Sequence, residues 1–526
     1  MPDSLAQPIE PAAVPTHRLA EQLGAEHRGP ASAISTVASS TAAVQPGSLF
    51  VALPGNRTHG ARFAEAARAA GATAVLTDPA GADEAAAAGL PVLVVDAPRT
   101  RLGEVARLVY RNVPGAPKLI GVTGTDGKTT TTYVLHALVE ALGLRGGLSG
   151  TVERRVADRA VATRDSGRLT TPEADYLHGL VARMRDEAVD VAAIEVSAQA
   201  IERHRVDELC FDVAIFTNLS HDHLDDYGTM DRYYATKLQL FARERSRRGV
   251  VAIDDEWGAR LAREATAPVT TVSMDAARGA DWTVAADEVG IDRTEFELVH
   301  RDGRRLRSAV NQPGWFVALD TALAAVALLE LGLPLERLQQ ALDATDGLQA
   351  AIPGRLDLVE HDGPGPRVYV DYGHTPASFR TVLRTLRRFT DGRLLMVFGA
   401  DGDRDAAKRP DMARSAALAD VVVVTDYNPR FEDPAAIRRV LVDTIATEFP
   451  DREVHEVADS AEGIALAVAL AADDDIVFVG GHGHRRDVEV RGELIPYSVK
   501  DAVRAALDAR RGADAEPGGT EYGASL

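Results

Sequence analysis

The stretch Lys118–Tyr133, KLIGVTGTDGKTTTTY, joins an apolar strand to a glycine-rich turn and then to a threonine-rich helix. Glycines leave room for backbone N–H groups to approach phosphate oxygens, and this stretch has three, Gly121, Gly124 and Gly127. Lys128 adds a positive charge, and Thr129 offers a hydroxyl to Mg²⁺ at the N-terminus of the helix. The stretch therefore predicts a triphosphate-binding loop inside an α/β domain.

Size and composition limit the class of protein. At 526 residues the chain exceeds what one hydrophobic core supports, so several domains are expected. No apolar run approaches the roughly 20 residues of a membrane span, and the N-terminus lacks the layout of a secretory signal. The lone cysteine, Cys210, excludes an intrachain disulfide framework, and a net charge of −20 argues against bulk nucleic-acid binding. We expect a cytoplasmic monomer that binds neither membrane nor nucleic acid.

Three α/β blocks follow one another along the chain. In each block, short apolar runs such as SLFVAL, VDVAAIEV and RLLMVFGA alternate with alanine-rich helical segments. Linkers are expected at RNVPGAP and near residues 347–353. We predict an N-terminal domain over residues 1–114, a central domain over 115–349 and a C-terminal domain over 350–526, with a disordered tail from about 512.

Charged side chains follow the strands of the central block. Glu195 ends an apolar strand, where open α/β sheets bind ligands, so it is placed to reach Mg²⁺. The stretch Thr217–Asp225, TNLSHDHLD, follows the next strand, and Lys237 comes after it on a predicted helix. Taken singly, Glu195 also fits a solvated strand end and Lys237 a surface lysine. A phosphate loop alone fits a kinase, an ATPase or a regulatory switch.

In combination these motifs resemble the Mur ligase family, whose members form amide bonds with ATP. The loop has that family's spacing G-x-x-G-x-x-G-K-T, and Val122 stands where the strict Walker pattern has glycine. The resemblance runs from about residue 30 to 505 and implies a small N-terminal α/β domain, a central P-loop ATPase-like domain and a C-terminal Rossmann-like domain. Other stretches that match family motifs are Thr217–Asp225, Pro353–Arg355, Asp371–Pro376, Gly402–Pro410 and Asn428–Arg430.

The resemblance implies which residues hold ATP and Mg²⁺. Lys237 would be carbamylated, because an anion can approach Mg²⁺ whereas an ammonium would be repelled. Lys128, Lys237 and Arg355 would be the catalytic residues, Arg355 by reaching the γ-phosphate. The implied metal ligands are Thr129, Glu195 and Lys237. The implied nucleotide-binding residues are Gly124, Thr125, Asp126, Gly127, Lys128, Thr129, Thr130, Asp371 and His374.

Within the family, the N-terminal block is most similar to the branch that adds the third residue of the peptidoglycan peptide. Val44–Leu53 resembles V-x-P-G-x-L-F-V-A-L, and Thr170–Glu173 resembles T-T-P-E. The implied substrates are a nucleotide-sugar peptide or a similar carboxylate, and an amino acid whose α-carboxylate an arginine can grip with two hydrogen bonds. The implied substrate-binding residues are Thr41, Thr170, Thr171, Ser197, Arg205, Arg404, Asn428, Arg430, Gly481 and Arg485.

Several of the family's binding motifs are altered in this chain. Where the family's D-S-R meets uridine the chain has Ser40–Ala42, and F-N-V-x-N loses both asparagines, to Val317 and Asp320. S-S-H becomes Ser197–Gln199, and D-N-P-R becomes Tyr427–Arg430.

The motif G-K-G-H-E becomes Gly481–Arg485. Its final glutamate pairs with the distal ammonium of diaminopimelate in family members that add that amino acid. Arg485 would repel this ammonium by on the order of one to a few kcal/mol, which disfavours diaminopimelate and lysine.

The leading interpretation is an ATP- and Mg²⁺-dependent ligase that joins an amino acid to a UDP-N-acetylmuramoyl peptide through an acyl phosphate. A second is a related ligase that uses a different carboxylate scaffold in specialised metabolism, as the altered uridine and acceptor positions suggest. A third is a nucleotide-binding protein without ligase activity, against which the joint presence of the predicted catalytic residues argues.

Overall fold

The structure is a computed structural model that describes residue 8 and residues 13–55, 58–115, 117–161, 169–349 and 352–515. Its strands form three large sheets, one in each of the three blocks, and two small two-stranded sheets. No helix among these described residues is long and apolar enough to cross a membrane.

The N-terminal block is a five-stranded sheet with helices packed against it. Four of its strands run parallel in the order β7-β6-β5-β4, and β2 pairs antiparallel at the edge. The strands are β1 (Val14–Pro15), β2 (Glu26–Arg28), β3 (Ala33–Ile34), β4 (Thr36–Ala38), β5 (Ser48–Val51), β6 (Ala72–Thr77) and β7 (Val92–Val94). The helices are α1 (Thr16–Leu23), α2 (Ala64–Ala69), α3 (Ala82–Ala87) and α4 (Pro98–Tyr110), with 3₁₀ turns at Thr41–Ala43 and Gly60–Phe63.

The central block is built on an eleven-stranded sheet in the order β11-β10-β9-β12-β8-β13-β14-β15-β16-β17-β18. Its strands are β8 (Lys118–Thr123), β9 (Gly146–Ser149), β10 (Arg154–Val156), β11 (Arg159–Ala160), β12 (Val191–Glu195), β13 (Phe211–Phe216), β14 (Ser246–Ala252), β15 (Val269–Ser273), β16 (Trp282–Gly290), β17 (Arg293–His300) and β18 (Arg305–Val310). Its helices are α5 (Lys128–Ala141), α6 (Ala174–Asp186), α7 (Ala198–Glu202), α8 (Leu224–Tyr227), α9 (Met230–Leu238), α10 (Glu256–Glu264), α11 (Trp315–Glu330) and α12 (Leu335–Asp343), with 3₁₀ turns at Gln239–Phe241 and Ala276–Arg278.

The strand β8 lies between β12 and β13, and all three are parallel and buried. Helices α5 and α11 pack on one face of this part of the sheet, where α11 is apolar almost all round. The carboxyl ends of β8, β12 and β13 therefore meet at one edge, which is where open α/β sheets bind ligands.

The C-terminal block is a six-stranded sheet in the order β19-β20-β24-β21-β22-β23, parallel except for β19. Its strands are β19 (Asp357–Leu358), β20 (Arg367–Asp371), β21 (Leu394–Phe398), β22 (Val421–Val424), β23 (Glu453–Glu456) and β24 (Ile476–Gly480), with a separate hairpin of β25 (Asp487–Val490) and β26 (Glu493–Pro496). Its helices are α13 (Pro376–Arg387), α14 (Arg409–Ala416), α15 (Pro434–Glu448), α16 (Ser460–Leu470) and α17 (Val499–Ala515), with a 3₁₀ turn at Ala406–Lys408.

The predicted α/β class and three-part architecture are confirmed. The central sheet differs from a purely parallel one, because β16, β17 and β18 form an antiparallel extension that the alternating pattern did not predict. The last helix continues to Ala515, three residues past the predicted start of the tail at 512, and the rest of the tail lies outside the described residues. The proposed domain limits at 114 and 349 remain predictions.

Candidate active site

A cavity of about 630 Å³ opens between the central and C-terminal sheets, a size typical of small-molecule sites. The central block contributes the phosphate loop and the ends of its neighbouring strands, and the C-terminal block contributes the segment before β19 and the loops after β20, β21 and β24. The predicted site residues that line it are Gly124, Thr125, Asp126, Gly127, Lys128, Thr129, Thr130, Thr170, Glu195, Ser197, Arg205, Lys237, Arg355, Asp371, His374, Arg404 and Arg485.

The phosphate loop requires glycine at two positions. Gly124 has a φ of +154°, and a Cβ there would come within 1.9 Å of the Oγ1 of Thr217. Gly127 has a φ of +85°, and a Cβ there would come within 2.7 Å of the Oδ1 of Asp320. A side chain at either position would both strain the backbone and collide with its neighbours. The loop is therefore held tightly against β13 and α11.

The stretch after β13 fixes the shape of the loop through Asp126. Thr217 Oγ1 donates to the Asp126 carbonyl at 2.6 Å, and Asn218 Nδ2 donates to the same oxygen at 3.1 Å. The Asp126 N–H in turn donates to Asn218 Oδ1 at 3.0 Å. The first two residues of the TNLSHDHLD stretch thus shape the phosphate loop, a role that their spacing in the sequence does not reveal.

Lys128 and Lys237, predicted as catalytic, converge on one backbone oxygen. Lys128 Nζ donates to the Gly124 carbonyl at 3.0 Å and to the Thr125 carbonyl at 2.7 Å. Lys237 Nζ donates to the same Gly124 carbonyl at 2.8 Å and lies 4.6 Å from the centre of the Tyr233 ring. Burial lowers the pKa of Lys237 well below its usual range, and the positive charge of Lys128 lowers it further.

Glu195 is completely buried at the end of β12. Its carboxylate accepts hydrogen bonds from the Thr151 N–H at 3.0 Å and from Thr151 Oγ1 at 2.8 Å. A Cβ on Gly150 would come within 2.2 Å of this carboxylate, so glycine at this position leaves space for the Glu195 side chain. The alternative of a solvated strand end is therefore excluded for Glu195, and its burial beside the phosphate loop fits a carboxylate held for a cation.

Arg355 reaches from the C-terminal block to the phosphate loop. Its Nη2 donates to Thr129 Oγ1 at 3.0 Å, and its guanidinium lies 4.6 Å from the centre of the Tyr372 ring. The segment that carries it is fixed by Asp371, which accepts hydrogen bonds from the N–H groups of Leu356 and Gly373. Asp371 thus supports Arg355 from the end of β20.

Contacts between charged or titratable side chains that sequence reasoning missed join the central and C-terminal blocks. Lys408 Nζ lies 3.2 Å from Asp222 Oδ1 with both side chains buried, and His221 Nε2 lies 3.0 Å from Asp405 Oδ2. Burial alone would raise the pKa of Asp222, but His223 and Lys408 together hold it well below its usual range. Asp222 and Lys408 each lie in a motif quoted above, but they are 186 positions apart, so the sequence alone does not show that they meet.

Arg404 and Arg485 line the far end of the cavity. Arg485 Nη2 donates to the hydroxyl of Tyr372 at 3.2 Å, and that side chain packs near Tyr427, which is itself buried. Within the described part of the chain, neither arginine has a carboxylate within ion-pair distance. Two positive groups therefore line the cavity without a direct ion pair to the described residues, and the carboxylate charge that acts on Arg485 is that of Asp401.

Three predicted acceptor residues do not line the cavity. Arg430 lies 3.6 Å from carboxylate oxygens of both Asp401 and Glu489, the geometry of an ion-pair partner. Asn428 Oδ1 accepts from the Glu489 N–H at 2.9 Å, which ties this loop to β25. Gly481 donates its N–H to the Asp371 carbonyl at 2.9 Å. Their predicted contact with an amino acid stays a prediction.

The residues predicted for the nucleotide-sugar peptide lie on the other side of the phosphate loop. Thr170, Ser197 and Arg205 line the cavity. Thr171 is buried behind them, where its Oγ1 donates to the Glu195 carbonyl at 2.7 Å and accepts from the Ser197 N–H at 3.1 Å. Thr41 lies on the N-terminal block, in the 3₁₀ turn after β4, and does not line this cavity.

The site combines a phosphate loop after β8, a buried carboxylate, a buried lysine and an arginine from the C-terminal block. Together these groups define a nucleotide-dependent group-transfer enzyme. Family models identify the class more closely. The Mur ligase family catalytic domain matches residues 33–110, the Mur ligase middle domain matches 122–329, and the Mur ligase glutamate ligase domain matches 354–483. The chain belongs to the Mur ligase family of ATP-dependent, amide-bond-forming enzymes, which confirms the resemblance.

Named relatives cover nearly the whole chain. UDP-N-acetylmuramyl-tripeptide synthetase of Leifsonia xyli subsp. xyli is 48% identical over 96% of this chain and 98% of its own. UDP-N-acetylmuramoyl-L-alanyl-D-glutamate--2,6-diaminopimelate ligase of Streptomyces coelicolor is 42% identical over 96% of this chain and 99% of its own. A solved UDP-N-acetylmuramoyl-L-alanyl-D-glutamate--2,6-diaminopimelate ligase has a TM-score of 0.60 at 28% identity and covers 91% of this chain and 96% of its own.

Proposed function

We propose that this enzyme is a MurE-type ligase, which joins an amino acid to the terminal carboxylate of a UDP-N-acetylmuramoyl peptide in peptidoglycan synthesis. The single observation that carries the proposal is the cavity, in which the phosphate loop, a buried carboxylate and lysine, and Arg355 from the opposite sheet face one another. The names and near-complete coverage of its relatives support the same substrate class.

The reaction has two chemical steps. A carboxylate oxygen of the peptide attacks the γ-phosphorus of ATP, and the bond to the bridging oxygen breaks, so that ADP leaves and an acyl phosphate forms. The amine of the amino acid then attacks the acyl carbon, loses a proton and expels phosphate. Lys128 and Arg355 are placed to neutralise the charge on the transferred phosphoryl group, since both contact the loop that holds it.

The residues present also fit Mg²⁺, which prefers hard oxygen ligands. Glu195 is a buried carboxylate and Thr129 a hydroxyl on the cavity wall. When bound, the ion would neutralise phosphate charge. Thr129 Oγ1 accepts a hydrogen bond from Arg355 in this structure, and its second lone pair would be available to the ion.

Lys237 fits the metal site only after modification. An ammonium would be repelled there, but burial lowers its pKa and so favours the neutral amine. A neutral amine can attack CO₂, which forms an N–C bond and releases a proton to leave an anionic carbamate. We propose that Lys237 carries this carbamate and supplies an oxygen ligand to the metal.

The acceptor amino acid is proposed to lack a distal positive charge. Arg404 can grip its α-carboxylate, and Arg485 faces the same space without a carboxylate partner among the described residues. Repulsion between Arg485 and a distal ammonium would disfavour diaminopimelate and lysine. The relatives give no support to the alternative scaffold from specialised metabolism.

The test is ADP release by the purified enzyme with ATP, Mg²⁺ and UDP-N-acetylmuramoyl dipeptide, run against a panel of basic, neutral and acidic amino acids. We expect ADP release only when peptide and an amino acid are both present, with a UDP-linked tripeptide as product by mass spectrometry. Turnover with a carboxylate that lacks the UDP-muramoyl group, and none with the dipeptide, would contradict the proposal. Sedimentation would test the proposed monomer, and cell fractionation the proposed cytoplasmic location.

A further inference from the structure

One carboxylate stands between the N-terminal block and the wall of the cavity. Glu173 immediately precedes α6, and its Oε1 accepts a hydrogen bond from Arg205 Nε at 3.1 Å. Its other oxygen, Oε2, accepts from Arg99 Nη1 at 3.2 Å, and Arg99 lies in the first turn of α4 in the N-terminal block. A single side chain therefore joins the two blocks and touches a residue that lines the cavity.

Arg205 depends on this contact for its position. Its side chain is only 5% exposed, and its remaining polar contact within the described residues is a hydrogen bond from Nη1 to the Thr171 carbonyl at 3.4 Å. The guanidinium keeps Nη2 without a hydrogen bond to any described residue while Arg205 lines the cavity. A buried arginine with a free donor facing a cavity is suited to an anionic or carbonyl group of a ligand.

A second contact from the N-terminal block reaches the same turn. The Ser39 N–H donates to Asp175 Oδ2 at 2.6 Å, and Asp175 is a buried residue in the first turn of α6. Ser39 directly precedes Ser40–Ala42, the stretch at which the family's uridine motif is altered. Two independent contacts thus converge on the start of α6, so docking of the N-terminal block is mechanically linked to Glu173.

We propose that Glu173 is a positioning residue that holds the Arg205 guanidinium on the cavity wall. Because Glu173 also binds Arg99, the position of Arg205 depends on docking of the N-terminal domain. The proposal rests on the proposed function, because Arg205 is there assigned to the nucleotide-sugar peptide. The consequence is selective: the apparent affinity for this substrate depends on Glu173, while nucleotide binding and the chemical steps do not.

The experiment is steady-state kinetics of the full-length enzyme with UDP-N-acetylmuramoyl dipeptide varied at saturating ATP and amino acid. We expect Glu173→Gln to raise the KM for the dipeptide about tenfold, since it breaks a partly buried ion pair, with kcat and the KM for ATP within about twofold. Arg99→Met should raise the KM for the dipeptide by about threefold, because the Arg99–Glu173 pair is more exposed than the Arg205–Glu173 pair. Thermal unfolding of each variant should match the wild type.

The matched control is Glu208→Gln. Arg107 Nε lies 2.8 Å from Glu208 Oε2, in a pair that joins the same two blocks but does not touch the cavity, and the Glu208 side chain is 44% exposed against 27% for Glu173. This variant should leave the KM for the dipeptide unchanged. An equal rise in Glu208→Gln and Glu173→Gln would overturn the proposal, because loosened docking alone would then explain both.

The double variant tests the link through Arg99. In the Glu173→Gln background, Arg99→Met should add little, because the side chain through which it acts has lost its charge. A further threefold rise in the KM for the dipeptide on adding Arg99→Met would overturn the link. If Arg205→Met raises the KM but Glu173→Gln does not, the positioning role is wrong while the proposed function stands. If the wild type neither binds nor uses the dipeptide, the proposed function itself fails and the positioning role fails with it.

Discussion

The two ends of the cavity differ in how their positive charges are held. At the nucleotide end, Lys128 and Lys237 donate to backbone carbonyls of the phosphate loop, and Arg355 donates to a hydroxyl on it. At the acceptor end, Arg404 and Arg485 face the cavity with no carboxylate partner among the described residues. The nucleotide end is therefore pre-organised by the protein itself, whereas the acceptor end leaves its charge for the substrate to neutralise.

The same division appears in the sequence. The phosphate loop keeps the family's spacing, and its surroundings keep the Thr217 and Asn218 that shape it. The acceptor end carries Tyr427 and Arg485 where the family motifs have acidic residues. Since the chemistry of ATP is common to the family and the amino acid is not, we infer that specificity was altered at the acceptor end while the spacing of the phosphate loop was kept.

The largest effect is expected at Lys128. Lys128→Ala should lower ATP-dependent turnover by roughly 10³-fold or more, because it removes a fixed positive charge beside the transferred phosphoryl group. The fold should persist, since the hydrogen bonds of this side chain to described residues go to loop carbonyls at the cavity. ADP release measures the turnover, and circular dichroism measures whether the fold persists. Lys118→Ala, at the other end of β8 and paired with Asp212, is the control. Full amide synthesis by folded Lys128→Ala would contradict the assignment.

A smaller loss is expected at Lys237. Lys237→Ala should lower turnover by about 10²- to 10³-fold, because the proposed anionic metal ligand is lost. Acetate or propionate should restore part of the activity by supplying a carboxylate to the vacated space. The same additives should not rescue Lys128→Ala, which lacks a cation. Full activity of Lys237→Ala without additive would refute the carbamate.

At the acceptor end, Arg485→Glu should change which amino acid is preferred. Replacing the positive charge by a negative one should shift the ratio of kcat/KM for lysine over a neutral amino acid upward by about tenfold or more. The neighbouring Arg486→Glu, on an exposed residue, is the matched control and should leave the ranking as it is. If the wild type already prefers diaminopimelate or lysine, Arg485 does not select the acceptor.

Acid stability of the acceptor end should depend on the buried ring of His482. Burial lowers the pKa of His482 to about 3, and neither ring nitrogen has a hydrogen-bond partner among the described residues. Between about pH 6.5 and pH 3 the unfolded chain binds a proton that the native ring does not, so the free energy of unfolding falls as pH falls. One such group contributes up to about 1.4 kcal/mol per pH unit.

His482→Gln should therefore make the free energy of unfolding less dependent on pH between 6 and 4, as measured by chemical denaturation. His455→Gln, on the partly exposed strand β23, serves as the comparison for a histidine that is not fully buried. An identical slope in wild type and His482→Gln would show that this ring is not buried as a neutral group.

Much of the fold was predictable because its signals are local. Apolar runs of strand length, as in β12 and β21, and the alanine-rich helices each carry their own pattern, and the glycine spacing specifies the phosphate loop. The antiparallel strands β16 to β18 escaped prediction because they alternate buried with more exposed residues and lack the continuous apolar runs of β12 and β21. The burial of Glu195 also escaped, because strand-end carboxylates are solvated or buried according to what packs over them.

The sequence by itself determined the phosphate loop, since glycine conformations, a lysine and a threonine in one short stretch need mainly local geometry to form it. Only the tertiary structure decided which distant residues meet. It paired Asp222 with Lys408, placed Glu173 between Arg99 and Arg205, and turned Arg430 away from the cavity toward Asp401. These contacts depend on how three sheets pack, because an ion pair forms wherever packing brings opposite charges together, whatever their separation along the chain.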